Sequence, residues 1–168
     1  METTPIGTGD RRPDCIFCRI VAGQAPVSPV FDDEGVLAFM DVNPVRPGHV
    51  LVIPKAHRAQ TWEMRDDEFA SVYRHLPSLV RALKRAMDAD AIDVLNLNGP
   101  AGGQTVFHVH FHLVPIHRHD SPVRRDGRSV GFAFEQQRAA RDELDRLAHT
   151  IRKAVLDPAS REPEIRRP

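Results

Sequence analysis

The chain lacks an excess of charge of either sign. Its 23 Lys and Arg are matched by 23 Asp and Glu, giving zero formal net charge over 168 residues. That balance argues against a non-specific nucleic-acid binder, which needs a basic surplus to neutralise phosphates. It argues equally against an acidic disordered chain. No apolar run approaches the roughly 20 residues that cross a bilayer, so no membrane partner is expected. The first residues, METTPIGTGDRRPD, contain no apolar core of a secretory leader, and a cytoplasmic location is expected. Cysteine is scarce, with two residues only, Cys15 and Cys18. In a chain without a leader a structural disulfide is the weaker reading. The pair is followed by a short polar turn, Val21 to Pro26, rather than by the helix of a redox motif. Half of a metal site is the favoured reading, with an inert reduced pair and redox chemistry as alternatives.

A hydrophobic fraction of 41% is sufficient for one core. Residues 1–13 and 157–168 are rich in Pro and charge and read as flexible tails around a single domain, 14–156. Short apolar runs at Val36–Met40, Val50–Ile53, Val94–Leu97 and Val106–Val114 read as strands. The Pro-Val-Arg-Pro-Gly turn makes the first two antiparallel neighbours. Phe69, Val72, Leu76, Val80, Leu83 and Met87 step by three or four, predicting a helix from Asp66, its cap, to about Met87. Pro77 should kink or split it. Ala140, Leu144, Leu147, Ile151 and Val155 mark a second helix within 134–156. The polar stretch 116–133 reads as a long connection. No simple βαβα alternation is present, so the predicted class is α+β with an antiparallel sheet.

Histidine is what the chain has in surplus: nine residues, five of them between positions 108 and 119. His108, His110 and His112 alternate with Val109, Phe111 and Leu113. In a strand such residues share one face, about 6.6–6.8 Å apart, with the apolar set facing the core. That spacing is wide for three ligands of one ion. It suits acid–base or nucleophilic chemistry, because imidazole is largely neutral at pH 7. Gly102-Gly103-Gln104-Thr105 precedes the row. A glycine turn leaves backbone N–H groups open to an anion, and Gln104 and Thr105 add donors.

Together, His-Val-His-Phe-His-Leu-Val after Gly-Gly-Gln-Thr resembles the signature of the histidine triad (HIT) family. Cys-Ile-Phe-Cys-Arg-Ile, Ala-Phe-Met-Asp-Val-Asn-Pro and Pro-Gly-His-Val-Leu-Val-Ile-Pro-Lys-Ala-His extend the resemblance over roughly residues 14–118. It implies a homodimer that hydrolyses or transfers a nucleoside monophosphate from a purine nucleoside phosphoramidate or related conjugate. Dinucleoside polyphosphate hydrolysis, and nucleotide binding with incidental turnover, are the alternatives. By resemblance, His110 attacks the α-phosphate, His112 contacts it, and His108 orients the row or ligates metal. Gly103, Gln104 and Thr105 hold the phosphate and leaving group. Phe17, Ile20 and Phe39 enclose the base, and Asp41 takes the ribose hydroxyls beside Val42. Where the family has Asn or Gln, this chain has Leu97, with Asn98 adjacent as the candidate contact. The resemblance also implies zinc held by Cys15, Cys18, His57 and His108. His49, His75 and His149 read as surface or loosely packed, while His117 and His119 lie near enough in sequence to reach the site. The stripe Phe69, Val72, Leu76 and Val80, with the strand after it, is the expected two-fold interface.

Overall fold

The structure, a computed structural model, describes residues 11–118 and 138–160. Helix α1 (Ile16–Val21) precedes strands β1 (Pro29–Asp32), β2 (Val36–Met40) and β3 (Val50–Pro54). Helices α2 (Asp66–Tyr73) and α3 (Leu76–Ala86) follow, then β4 (Ala91–Leu95), β5 (Phe111–Ile116) and α4 (Arg141–Leu156). The five strands form one antiparallel sheet in the order β1-β2-β3-β5-β4. The fold is α+β, as the pattern of elements predicts.

β2 and β3 are buried at all five positions. Continuous apolar strands of this kind belong at the centre of a sheet covered on both faces. On one face Val36, Ala38, Met40, Val50 and Val52 pack with Leu79, Leu83, Leu144 and Ile151 from the helices. On the other, Leu37, Phe39, Leu51 and Ile53 pack with Phe17, and Ile20 rests against them. Each such buried side chain contributes about 1.5–3 kcal/mol. Register then places the site. Phe39 lies opposite Leu51, and Leu51 opposite His112. Directly paired residues share a face, so an apolar wall on β2 runs across β3 to the histidines.

Several boundaries differ from the expectations above. Pro77 splits the long helix in two, since it supplies no N–H and sits in the first turn of α3. Asp66 does not cap α2. Arg65 occupies that position, and its N–H is taken by Glu68 Oε2 at 3.0 Å. The fourth helix begins at Arg141, after extended residues. Strand β4 spans Ala91–Leu95 rather than Val94–Leu97, and β5 begins at Phe111 rather than Val106. β1 was not apparent, being only four residues opened by a proline. Val72 and Leu76 lie inside the core of this chain, so they are not available to an interface. The turn Pro158–Ser160 packs back onto the helices, with Ser160 buried and accepting from Arg81 through its carbonyl. Packing therefore continues past residue 157, where a tail was expected. Residues 1–10, 119–137 and 161–168, including most of the polar connection and His119, lie outside the described residues.

Candidate active site

His110 is oriented by the backbone just before β5. His110 Nδ1 lies 2.7 Å from the His108 carbonyl oxygen. A carbonyl only accepts, so Nδ1 carries the proton and Nε2 keeps its lone pair. Burial pushes the His110 pKa below its ordinary value, keeping the ring neutral at pH 7. The His110 carbonyl in turn accepts from Asn96 Nδ2 at 2.9 Å. Asn96 Oδ1 receives Thr61 Oγ1 at 2.6 Å and Asn98 Nδ2 at 2.7 Å. The chain thus reaches the triad through Asn96. Asn98, the residue singled out beside Leu97, is instead occupied with Asn96 and with the Thr61 N–H. The reason is the earlier end of β4, which puts both asparagines in the following loop.

His108 and His110 precede the strand. His110 and His112 approach to 4.8 Å between centroids, closer than an extended strand would allow. Phe17 meets His108 and His110 edge-on at 5.8 and 5.4 Å. His112 Nδ1 is 2.9 Å from His49 Nε2, and His49 Nδ1 is 3.4 Å from Asp41 Oδ2. His49 is 1% exposed, so it is neither a surface nor a loosely packed residue. Its signal was present: it alternates with Leu51 and Ile53 and stands across from Asp41, whose N–H donates to the His49 carbonyl at 3.0 Å. Burial, followed by the charge of His110 and then of His49, lowers the His112 pKa to about 3. His112 Nε2 is buried without a hydrogen-bond partner among the described residues. His75, half-buried, pairs with Asp33, and His149 is exposed. His117 lies beyond the far end of β5, near Asp90.

The glycine loop has its own internal order. Gly99 (φ 74°) and Gly103 (φ 89°) adopt left-handed backbone that side chains disfavour. Gln104 is buried. Its Oε1 accepts from the Gly99 N–H at 2.8 Å, and its Nε2 donates to the carbonyls of Ala59 and Val106 at 2.7 and 3.0 Å. Its side chain therefore shapes the loop rather than facing a ligand. Thr105 and Val106 line a cavity of about 430 Å³ with Phe17, Ile20, Phe39, Asp41, Val42, His110 and His112. Its wall combines apolar side chains with a few polar ones, as a small-molecule site requires. Gly103 flanks the same loop.

Behind the row, Cys15, Cys18, His57 and His108 converge. Their ligand atoms lie within 4.8 Å of one another. Cys18 Sγ is 3.3 Å from His57 Nδ1 and 3.7 Å from His108 Nδ1, and Cys15 Sγ is 3.6 Å from His108 Nδ1. These separations suit ligands about 2.0–2.3 Å from a tetrahedral ion. The tautomer agrees. His108 Nε2 meets the Pro54 carbonyl at 2.8 Å, so the proton is there and Nδ1 offers its lone pair to the thiols. Burial lowers the His108 pKa to about 4 and raises that of the Cys18 thiol. The first keeps the imidazole ready to ligate, and the second is what a metal would reverse. His108 is thus directed toward the cysteine–histidine cluster, not the cavity.

A HIT domain model matches residues 22–119, more than half of the chain. The protein belongs to the histidine triad family. The adenosine 5'-monophosphoramidase of Schizosaccharomyces pombe is 42% identical over 118 residues, 70% of this chain and 82% of that protein. An adenylylsulfatase of Arabidopsis thaliana is 35% identical over 142 residues, 84% of this chain and 68% of that protein. A zinc-bound histidine triad protein from Mycobacterium smegmatis has a TM-score of 0.70 at 31% identity, covering 89% of this chain and 98% of its own. The family therefore includes hydrolases of nucleotide conjugates.

Proposed function

We propose that this histidine triad protein is a nucleotidyl hydrolase or transferase that cleaves at the α-phosphate of purine nucleoside phosphoramidates or related conjugates. The observation that carries the reading is the fixed tautomer of His110, which leaves Nε2 unprotonated on a residue that lines an apolar-sided cavity. In the first step Nε2 bonds to the α-phosphorus, and the bond to the leaving group breaks. The leaving group departs with that electron pair and takes up a proton. Water then attacks the phosphorus, the P–N bond breaks, and the nucleoside monophosphate leaves with neutral imidazole restored. A covalent intermediate divides one difficult displacement into two.

An anionic phosphorus resists a neutral nucleophile unless fixed donors offset the charge. The N–H groups of Gly99, Gly102, Gly103 and Gln104 are spent on bonds inside the loop, so Thr105, which lines the cavity, supplies the donor on one side. His112 supplies another when His49 takes the tautomer in which its Nδ1 accepts from the Val45 N–H, 3.4 Å away. His49 Nε2–H then donates to His112 Nδ1, leaving a proton on His112 Nε2 for a phosphate oxygen. Phe17, Ile20, Phe39 and Val42 fit a base, and Asp41 fits the ribose hydroxyls. Zinc at Cys15, Cys18, His57 and His108 acts as a structural cross-link. Reduced thiols of this kind fit a cytoplasmic protein.

A second reading, dinucleoside polyphosphate hydrolysis, has one observation in its favour. A cavity of about 1000 Å³ meets the first at Ile16, Thr105 and Val106 and is lined by Arg11 and Arg12. It has room for a bulky leaving group. Parallel turnover assays with adenosine phosphoramidate and diadenosine polyphosphate decide between the two. The main reading requires faster cleavage of the phosphoramidate, and turnover of neither overturns both.

A further inference from the structure

The C-terminal helix reaches the end of the cavity opposite the histidines. Arg141 opens α4, and Arg138 stands three residues before it. Both line the cavity with Asp41 and His110. Their approach is held by a hydrogen bond from the Ala139 N–H to the Val42 carbonyl, 3.1 Å. Arg141 Nη1 donates to Ser28 Oγ at 3.0 Å, and Ser28 Oγ donates to Asp145 Oδ1 at 2.5 Å. Ser28 is 1% exposed, so the guanidinium is anchored at one nitrogen on a buried hydroxyl. A guanidinium has five N–H donors, and the rest are left for other partners.

The sheet shows which end this is. The Ser28 carbonyl accepts from the Met40 N–H, Met40 pairs with Val50, and Val50 pairs with Leu113 beside His112. Three strand spacings, about 14 Å, separate Ser28 from β5. A phosphate at His110 does not extend that far, whereas the base, which the reading above sets against Phe39 and Val42, lies on that side. A cation in the first turn opposes the helix dipole, so the dipole does not account for Arg141.

Arginine offers donors only, in a planar fork. Guanine presents two acceptors, O6 and N7, on one edge, while adenine presents a donor, N6, beside N7. Resting on the nucleotide reading above, we infer that Arg141, assisted by Arg138, reads the O6/N7 edge of the base and makes 6-oxopurine nucleotides the preferred ligands. This makes Arg141 a specificity residue supplied by the segment outside the shared family motifs.

The test is titration calorimetry of the full chain with GMP, IMP and AMP. IMP keeps O6 and N7 but lacks the 2-amino group. Wild-type protein should bind GMP and IMP at least tenfold more tightly than AMP. Arg141→Gln and Arg138→Gln should shrink that ratio toward one while leaving AMP affinity within about threefold. Ser28→Ala, which frees the anchor, should reduce the ratio partially. Equal binding of the three nucleotides by wild type overturns the inference and leaves the nucleotide reading intact. A uniform loss for all three in the Arg141 variant also overturns it, since Arg141 then only anchors the helix. Binding of none of them defeats the nucleotide reading itself.

Discussion

Asp41 joins two parts of the site. One oxygen accepts from the Asn43 N–H at 2.9 Å, and the other faces His49. If the carboxylate also receives the ribose hydroxyls, Asp41→Ala should weaken a ribonucleotide far more than its 2′,3′-dideoxy analogue. Each charged hydrogen bond lost is worth about 1.5–3 kcal/mol. The paired ligands cancel general damage to the cavity, which affects both alike. Phe17→Ala should instead weaken both equally. An equal effect of Asp41→Ala on the two ligands would leave Asp41 only its structural bonds. Residue types and spacing made the triad and the Cys pair legible from sequence, and the family resemblance pointed to Asp41. They did not reveal Asn96 or the task of His49. Those roles depend on which loop a strand ends in and which imidazole lies across the sheet, and both are set by tertiary register.

Among the described α-helices, α1 has the fewest buried side chains. It is six residues long, and of its side chains only Phe17 and Cys18 are buried. A helix this short is marginal without tertiary help. The cysteine–histidine cluster ties it to His57 and to the segment leading into β5. Metal bound only by the native state adds to folding stability. Purified protein should carry about one zinc per chain by elemental analysis. Cys18→Ser should lose the metal and lower the Tm together. Full stability of the metal-free variant would refute a structural role. Elements rich in apolar residues, β2, β3 and the split helix, were legible because burial and period agree. The start of β5 was not. The alternation of His108 to His112 reads as strand, but Val109 donates to the Arg58 carbonyl at 2.7 Å instead of joining the sheet ladder. The histidine row is thus partly a loop held in place by Asn96 and the cysteine–histidine cluster.

At the scale of the whole molecule, β4 is an edge strand with an exposed Val94, and Tyr73 of α2 is also exposed. An open edge with apolar neighbours is normally covered. A homodimer built on β4 would cover it, although not through Val72 and Leu76. Light scattering at micromolar concentration should give twice the chain mass of 18.9 kDa, and a Val94→Lys variant should shift it toward monomer. A wild-type monomer would contradict the assembly. The central claim of the proposed function is that His110 is the nucleophile. Rapid acid-free quenching of the protein during turnover of adenosine phosphoramidate, followed by peptide mass spectrometry, tests it most directly. The account predicts an adenylyl group on His110 alone, absent in His110→Asn, which should bind AMP within a few fold of wild type and turn over nothing. Adduct on another residue, or retained turnover in His110→Asn, would contradict it.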